Sequence, residues 1–484
     1  MKSIKLHMRT MIAGLVLCFL SIQSLQAELR LATFDVDATP SVGSPLAYDP
    51  MKEATLPLSC RGLVMFGAGE PIVWCTVDWL GIANGTNDAF RRSLAEAVGT
   101  SMDRVVVHTL HQHDAPRCDL EAADLLRPFG IAAAHFDEPF IQDVMDRAAM
   151  AAKQAIKGAV TITQIGSGNG LVYEVASNRR MLDEQGIVHT TRYTACREDA
   201  IRNLPEGVID PVLRMLTFED EKGPVAAVSF YATHPQSYYR TGGANPDFPG
   251  MARNARQAST GVFHLHFNGA GGNIGAGKYN DGSHENRQVL ADRVATAMQF
   301  AFDNRVRKPA DSEQISWTSL GVDVPVAEHV REDELLALVK DEATPSALRC
   351  HSAEKLAFLY RRRAGIPVQA SCLRIGNEHQ VLFMPGELFV EYQLAAQHMK
   401  PDSNVCMAAY GDYGTFYIGT RVAFPQGGYE VSERATNVSP AVEVELLRAM
   451  RTLLSAESSQ VLASDFTERD GVNPTRFAAP KSTE

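Results

Sequence analysis

Three histidines lie within six positions of one another in the segment RVVVHTLHQHDAP, residues 104–116. His111 and His113 are two positions apart, so their side chains share one side of an extended segment, and His108 lies further back in the apolar, β-branched run. One histidine after a strand caps the strand or satisfies a buried backbone group. Two alternating histidines at such a point favour metal binding or acid–base chemistry, because imidazole does both near neutral pH.

Two further segments offer groups of related chemistry, each at the end of an apolar run. His234 lies in YATHPQS, and Glu387 follows Pro385 and Gly386 in FMPGELF. The pattern sets Glu387 in the first turn of the following helix, where the helix dipole also favours a carboxylate for purely structural reasons. Two imidazoles and a carboxylate, without thiolates, form the ligand set of a catalytic zinc that keeps a position open for water. We therefore predict a Zn²⁺ site.

The elements that must position these groups follow one local pattern along the chain. Short apolar, β-branched runs end in polar or glycine-rich loops and are often followed by helical periodicity, with no evident sequence repeat. This pattern predicts an α/β fold with mixed, largely buried sheets flanked by helices. Ligands in such folds bind at the carboxyl ends of strands, so the metal site is expected there. Helices are predicted over residues 86–98, 138–156, 287–302, 388–399 and 441–454.

Composition limits the class of protein and its partners. The chain has 484 residues, of which 45% are hydrophobic and 21% charged, so it can bury a large core. Its net charge of −11 argues against nucleic acid as a partner, because binding to phosphates needs clustered lysine and arginine.

The N-terminus has the layout of a secretory signal peptide over residues 1–27. Basic residues precede the apolar stretch MIAGLVLCFL, and SIQSLQA then leads to Glu28. The apolar stretch is shorter than the roughly 20 residues that a membrane-spanning helix needs. We expect a secreted or periplasmic protein that begins near Glu28 and has no stable membrane anchor.

Four segments together resemble the neutral (alkaline) ceramidases. LHQHDAP resembles the His-x-His-x-x-Pro segment of that family, SFYATHPQS its His-Pro segment, LFMPGELF its Pro-Gly-Glu turn, and DYGTFYIGT with GGYEVS its tyrosine-rich segment. The order agrees, the resemblance covers residues 32–454, and it is closer still to bacterial ceramidase-like proteins. It implies a ceramidase-like catalytic domain over residues 28–460, followed by a C-terminal tail at 461–484.

The resemblance also implies roles for individual residues. The tyrosine implied as a zinc ligand is Tyr417. Tyr413 is the alternative to it and is otherwise expected to bind substrate. His113 is expected beside the metal, as a group that orients a ligand or polarises the substrate. Arg179, in ASNRR, matches an arginine that reaches the substrate, although a surface ion pair is an equal alternative. The implied zinc ligands are His111, His234, Glu387 and Tyr417.

One position departs from the family pattern. The family carries a reactive serine in a Gly-Asp-Val-Ser-Pro segment, whereas GNIGAG places Gly275 at that serine and Asn273 at the aspartate. Glycine has no nucleophile, although the backbone N–H groups of this turn could face a carbonyl in the catalytic site. We expect Gly275 to hold a backbone angle that serine cannot adopt cheaply. Asp114 and Asn273 are predicted to contact substrate.

The function predicted from these observations is that of an exported zinc-dependent hydrolase. It would cleave an amide or related acyl bond of a small-molecule or lipid-like substrate by metal-activated water. One alternative is a non-catalytic exported binding protein that keeps the metal. Another is a true ceramidase with an altered nucleophile.

Overall fold

The computed structural model describes residues 28–468. Within this range the chain forms the mixed α/β fold that the sequence predicts, with sheets flanked by helices. No helix in residues 28–468 is long and apolar enough to cross a membrane. The α-helices are Asn84–Val98, Leu120–Leu126, Glu138–Ala155, Asp199–Arg202, Asp247–Thr260, His284–Asp303, Glu332–Lys340, Ser346–Arg363, Val390–Met399, Ala423–Gln426 and Val442–Leu454.

Three larger sheets contain most of the strands. The first contains Arg30–Asp37, Ser59–Phe66, Ile72–Val77, Val105–Thr109 and Val160–Thr161. The second contains Gln164–Leu171, Val212–Asp220, Gly223–Tyr231, Phe263–Asn268 and Val306–Pro309. The third contains Ile315–Val322, Val368–Ile375, His379–Phe383 and Asn404–Ala408.

The three sheets share one topology. In the first sheet Ser59–Phe66 and Ile72–Val77 pair antiparallel, and the chain then crosses through helix Asn84–Val98 to the parallel strand Val105–Thr109. The second sheet repeats this order of antiparallel pair, helix and parallel strand, and so does the third. A parallel partner requires such a crossover, and the resulting strands are buried on both faces. The topology therefore repeats where the sequence shows no repeat.

Aromatic side chains from all three sheets meet in one part of the core. Trp74 of the first sheet, Phe267 of the second and Phe383 of the third are each at most 1% exposed. Their ring centroids lie 5.1 to 6.4 Å apart. Such pairs stabilise the fold beyond their buried area, so this cluster fixes the sheets against each other.

One predicted helix begins later than expected. Glu387 lies in the short strand Glu387–Leu388, paired parallel with Tyr417–Ile418, and helix Val390–Met399 starts after it. The expectation that Glu387 occupies the first helical turn was wrong, because its backbone N–H donates to the Phe416 carbonyl at 2.9 Å. The helix dipole is thus no explanation of this carboxylate.

The packed chain continues past residue 460. Residues Ala463–Phe466 form a short 3-10 helix in which the Phe466 ring is buried. Ser464 donates from its backbone N–H and its hydroxyl to the buried Glu443 carboxylate, at 2.8 and 2.6 Å. Residues 463–466 therefore belong to the core. The predicted signal peptide and residues 469–484 lie outside the described residues.

Candidate metal centre

Three histidines from two sheets form a buried cluster at the carboxyl ends of strands. His111 and His113 follow strand Val105–Thr109 of the first sheet, and His234 follows Gly223–Tyr231 of the second. All three are buried, and one nitrogen of each lies within 4.8 Å of the others. The cluster could therefore hold a metal ion, at the place in the fold where the sequence predicts one.

The backbone and one hydrogen bond fix the orientation of His111. Its φ is 63°, a left-handed conformation that is uncommon for residues other than glycine and is found in functional sites. The Nδ1–H group donates to the Leu80 carbonyl at 2.7 Å. The other ring nitrogen, Nε2, lies 3.1 Å from Glu387 Oε2.

The Glu387 carboxylate enters the cluster from the third sheet. The preceding Gly386 has φ 58°, and a Cβ there would collide with the Thr415 hydroxyl, so this turn requires glycine. The Tyr413 hydroxyl donates to Glu387 Oε1 at 2.9 Å. Oε2 is buried and has no hydrogen-bond partner among residues 28–468, so it is the oxygen that faces the histidines.

His234 connects this carboxylate to the third histidine. Its Nδ1 lies 3.7 Å from Glu387 Oε2, and its Nε2 lies 2.9 Å from His113 Nε2. Burial lowers the pKa of both His234 and His113 well below the ordinary value, and nearby positive groups including Arg179 add to the effect. Both imidazoles are therefore neutral near pH 7, the form that binds metal ions.

Tyr417 and Arg179 lie on the other side of His234. The Tyr417 ring is parallel to the His234 ring, with centroids 6.3 Å apart, and the Arg179 guanidinium lies 5.2 Å from the Tyr417 centroid. Burial raises the pKa of the Tyr417 hydroxyl well above its ordinary value. Arg179 is only 3% exposed and donates from Nε to Glu430 at 2.8 Å, while Nη2 has no partner within the described chain. The ion pair of Arg179 is thus buried.

Two residues predicted to bind substrate make structural hydrogen bonds. Asp114 accepts from the backbone N–H groups of Arg240 and Thr241, at 2.9 and 3.3 Å, and from the Thr241 hydroxyl at 2.7 Å. Asn273 accepts from the backbone N–H of Val390 at 2.9 Å and donates to Glu391 at 2.8 Å. Asp114 holds a turn and Asn273 caps a helix, so their substrate contacts stay predictions.

Gly275 is less constrained than the sequence suggests. Its φ lies outside the left-handed region that only glycine adopts easily, and a Cβ would have its nearest neighbours 3.9 and 4.0 Å away, at Arg179 and Thr194. The expectation of a backbone angle that excludes serine was wrong. Strand Ser177–Asn178 pairs with Ile274–Gly275 and holds this turn next to Arg179.

Sequence reasoning missed several residues that contact the cluster. The Tyr48 hydroxyl lies 3.0 Å from His113 Nδ1, and the Gln236 amide nitrogen lies 3.1 Å from the same atom. Tyr410 stacks on His111 with centroids 4.5 Å apart. The left-handed φ of Tyr410, 63°, leaves no mark on a sequence. Gln236 is two positions from His234 in the sequence, and this proximity was the one local indication that Gln236 contacts the cluster.

Sequence comparisons leave the family open. No protein-family model matches the chain. A search of curated proteins also finds no match.

Structure comparison is more informative. A ceramidase complexed with C2 matches with a TM-score of 0.64 and 15% identity, over 89% of this chain and 75% of that chain. Neutral ceramidase from Pseudomonas aeruginosa matches with a TM-score of 0.62 and 16% identity, over 89% and 74%. At such identities the likeness concerns the fold alone. The chain has the fold of the neutral ceramidase structures, as the resemblance of its four segments implies.

Proposed function

We propose that this protein is an exported zinc-dependent hydrolase that cleaves an amide or related acyl bond. The observation that carries the proposal is the convergence of three buried ligand atoms, none of which has a hydrogen-bond partner among residues 28–468. These atoms are His111 Nε2, His234 Nδ1 and Glu387 Oε2. Buried polar atoms are almost always satisfied, so three such atoms around one point favour an ion that satisfies them.

The spacing of these atoms suits zinc. Ligands bound tetrahedrally to one zinc at about 2 Å lie about 3.3 Å apart. The carboxylate oxygen lies 3.1 Å from the His111 nitrogen and 3.7 Å from the His234 nitrogen, on either side of that value. Tyr417 is the proposed fourth ligand, while Tyr413 is already engaged with the other oxygen of Glu387.

The remaining groups of the site are proposed to orient a ligand and to position the substrate. With Nδ1 turned to the metal, His234 carries its hydrogen on Nε2 and donates it to His113, which orients the ligand. The hydrogen of neutral His113 is then on Nδ1, next to Tyr48, and we propose that this N–H group polarises an oxygen of the substrate. Arg179 offers its unpaired Nη2 as a donor to an oxygen of the substrate.

Water is the proposed attacking group. Gly275 offers no side-chain nucleophile at the position of the family serine. A zinc ion held by these four ligands, with a fifth position for water, would polarise the acyl carbonyl and lower the pKa of that water toward about 7. The Gly275 turn lies beside Arg179, whose side chain is the nearest neighbour that a Cβ at Gly275 would have, at 3.9 Å. The ceramidase fold favours a lipid-like acyl group, which is the substrate class we propose.

Metal analysis of the purified mature protein tests this proposal. We expect about one zinc per chain and hydrolysis of at least one member of a panel of acyl amides and esters. Replacing His234→Ala should weaken zinc binding by at least about ten-fold and abolish turnover, because it removes a ligand. Circular dichroism should show the fold retained, since a catalytic metal contributes less to folding than a structural one.

The matched control is His189→Ala, because His189 is exposed and lies on a separate strand. It should retain zinc and activity. Full zinc retention by the His234→Ala protein would contradict the ligand assignment. Zinc without turnover on any acyl substrate would favour a metal-containing binding protein. An acyl adduct trapped on a serine, threonine or cysteine would favour a ceramidase-like enzyme with a relocated nucleophile.

A further inference from the structure

Two tyrosines form the solvent-facing edge of the metal centre. Tyr48 is 43% exposed and Tyr239 is 37% exposed. Tyr48 stacks on His113 with centroids 5.7 Å apart, and Tyr239 contacts the same imidazole edge-on at 5.5 Å. The two tyrosine centroids lie 5.1 Å apart. We call this pair the mouth tyrosines, because both are exposed and both contact His113.

An arginine lies on the outer side of the mouth tyrosines. The Arg240 guanidinium carbon lies 5.0 Å from the Tyr48 centroid and 5.6 Å from the Tyr239 centroid. The side chain is exposed. Within residues 28–468 no carboxylate lies at ion-pair distance from it. The two rings therefore hold the cation in place and leave its N–H donors free.

The backbone of Arg240 is held in an uncommon conformation. Its φ is 66°, in the left-handed region. The buried Asp114 carboxylate fixes the turn by accepting from the backbone N–H groups of Arg240 and Thr241. Uncommon backbone conformations persist when their surroundings enforce them, and they cluster at ligand sites. A buried carboxylate thus fixes the position of an exposed, unpaired cation beside the metal centre.

Arg179 and Arg240, the two arginines of the site, differ in whether a carboxylate contacts them. Arg179 is buried and shares the Glu430 carboxylate with Arg180, and its unpartnered Nη2 suits a single oxygen such as a carbonyl or hydroxyl. Arg240 has no such partner among the described residues, so it suits an anion, which a guanidinium binds with two parallel hydrogen bonds.

We propose that Arg240 binds an anionic oxygen group, a carboxylate or a phosphate, on the headgroup of the substrate. This inference rests on the proposed function and extends it: the substrate is an acyl amide whose amine part carries a negative charge at the mouth tyrosines. Its acyl carbonyl then lies at the metal centre, and its anion lies outside Tyr48.

A matched set of three substrates tests the proposal on the zinc-loaded protein. They share one acyl chain: an N-acylglycine, the N-acylethanolamine in which a hydroxymethyl group replaces the carboxylate, and the phosphate ester of that ethanolamide. Wild type should have a KM at least about ten-fold lower for one of the anionic substrates than for the neutral one. Which anion is preferred distinguishes a carboxylate from a phosphate.

Arg240→Gln should raise the KM of the preferred anionic substrate about ten-fold more than it raises the KM of the neutral substrate. Arg240→Lys should restore part of the preference, because it keeps the charge but not the planar donors. Arg30→Gln is the control, because Arg30 is also exposed and lies 5.3 Å from the Phe66 centroid, in a different part of the fold. Equal effects of Arg240→Gln on charged and neutral substrates would overturn the proposal, as would a wild type with no preference.

Failure of the proposed function gives a different result. If zinc-loaded wild type hydrolyses none of the three substrates, calorimetric binding of the N-acylglycine and the ethanolamide phosphate still tests Arg240. Binding of either that weakens about ten-fold in Arg240→Gln, but not in Arg30→Gln, supports the anion site. No binding of either, or equal binding by both variants, overturns it.

Discussion

Gly275 decides whether this site could accept a nucleophile from the protein. Because its φ is ordinary and a Cβ would have its nearest neighbours at 3.9 Å or more, a side chain fits without displacement of the backbone. We predict that Gly275→Ser changes the free energy of unfolding by less than about 1 kcal/mol, as substitutions that create no cavity or clash do. Urea unfolding measures this change.

Gly272 provides the contrast for that measurement. A Cβ at Gly272 would collide with the backbone carbonyl of Glu387, so Gly272→Ala should cost about 3 kcal/mol or more and displace Glu387. Equal losses in the Gly275→Ser and Gly272→Ala proteins would contradict the open geometry at Gly275. A stable Gly275→Ser protein also permits a direct test of whether a serine there forms an acyl adduct.

At the residue scale, the sequence shows which side chains could bind a metal better than it shows which residues hold the site in place. His111, His234 and Glu387 were recognisable because imidazole and carboxylate follow apolar runs. Asp114 was predicted to bind substrate, but its hydrogen-bond partner Arg240 lies 126 positions away in the chain. Hydrogen bonds between distant loops depend on the assembled fold, so no local pattern reveals them.

At the scale of elements, helix Val390–Met399 carries an ionisable group that opposes folding. Glu391 is buried in its first turn and accepts from the Asn273 side chain at 2.8 Å. Burial raises the pKa of its carboxyl group to about 7. Between pH 4.5 and 7 the folded state therefore binds more protons than the unfolded state, and stability falls as pH rises through this window.

We predict that Glu391→Gln stabilises the protein at pH 8 by up to about 3 kcal/mol, because the amide keeps an acceptor for Asn273 and has no charge to bury. The gain should disappear below pH 4.5, where both proteins are neutral at this position. Urea unfolding at several pH values measures it. The exposed Glu457→Gln is the control. A Glu391→Gln protein that is less stable than wild type at pH 8 would contradict the prediction.

The five predicted helices lie within about three residues of observed ones, whereas helices Asp247–Thr260 and Ser346–Arg363 and the short strand pairings were not predicted. The apolar period over residues 86–98 corresponds to helix Asn84–Val98, since the side chains of one face carry the signal. Glu387–Leu388 was assigned to a helix because its partner strand, Tyr417–Ile418, lies 30 positions later. A strand of two residues is too short to show an alternation of apolar and polar side chains. Glu387 and Tyr417 lie in two such strands.

At the scale of the whole molecule, a repeated topology brings the site together. Each sheet contributes loops that follow its parallel strands: His111 comes from the first, His234 from the second and Glu387 from the third. The sequence predicts the α/β class and the location at strand ends. It does not predict that three sheets share one topology. The repeat lies in the order and pairing of the strands, whereas the side chains of equivalent strands differ.

The folded protein should lose stability in acid, because several histidines are buried in the neutral form. Burial lowers the pKa of His108 to about 4 and that of His266 to about 3. Below the ordinary histidine pKa of about 6.5 the unfolded chain binds protons that the folded chain does not. Stability is therefore complete above pH 6.5 and is lost as pH falls toward 4, by up to about 1.4 kcal/mol per pH unit for each such histidine.

Urea unfolding between pH 7 and 5 measures this slope, with a chelator present throughout so that metal release does not contribute. His266→Gln should be less stable than wild type at pH 7, since it alters hydrogen bonds to Ser229 and Asn268, yet its slope below pH 6.5 should be smaller by about one proton. His189→Gln, at an exposed position, should leave the slope unchanged. The comparison separates proton binding from packing. A loss of packing lowers the free energy of unfolding by the same amount at every pH, whereas the loss of a buried imidazole changes the slope of that free energy against pH. An unchanged slope in His266→Gln would show that His266 titrates alike in the folded and unfolded chains.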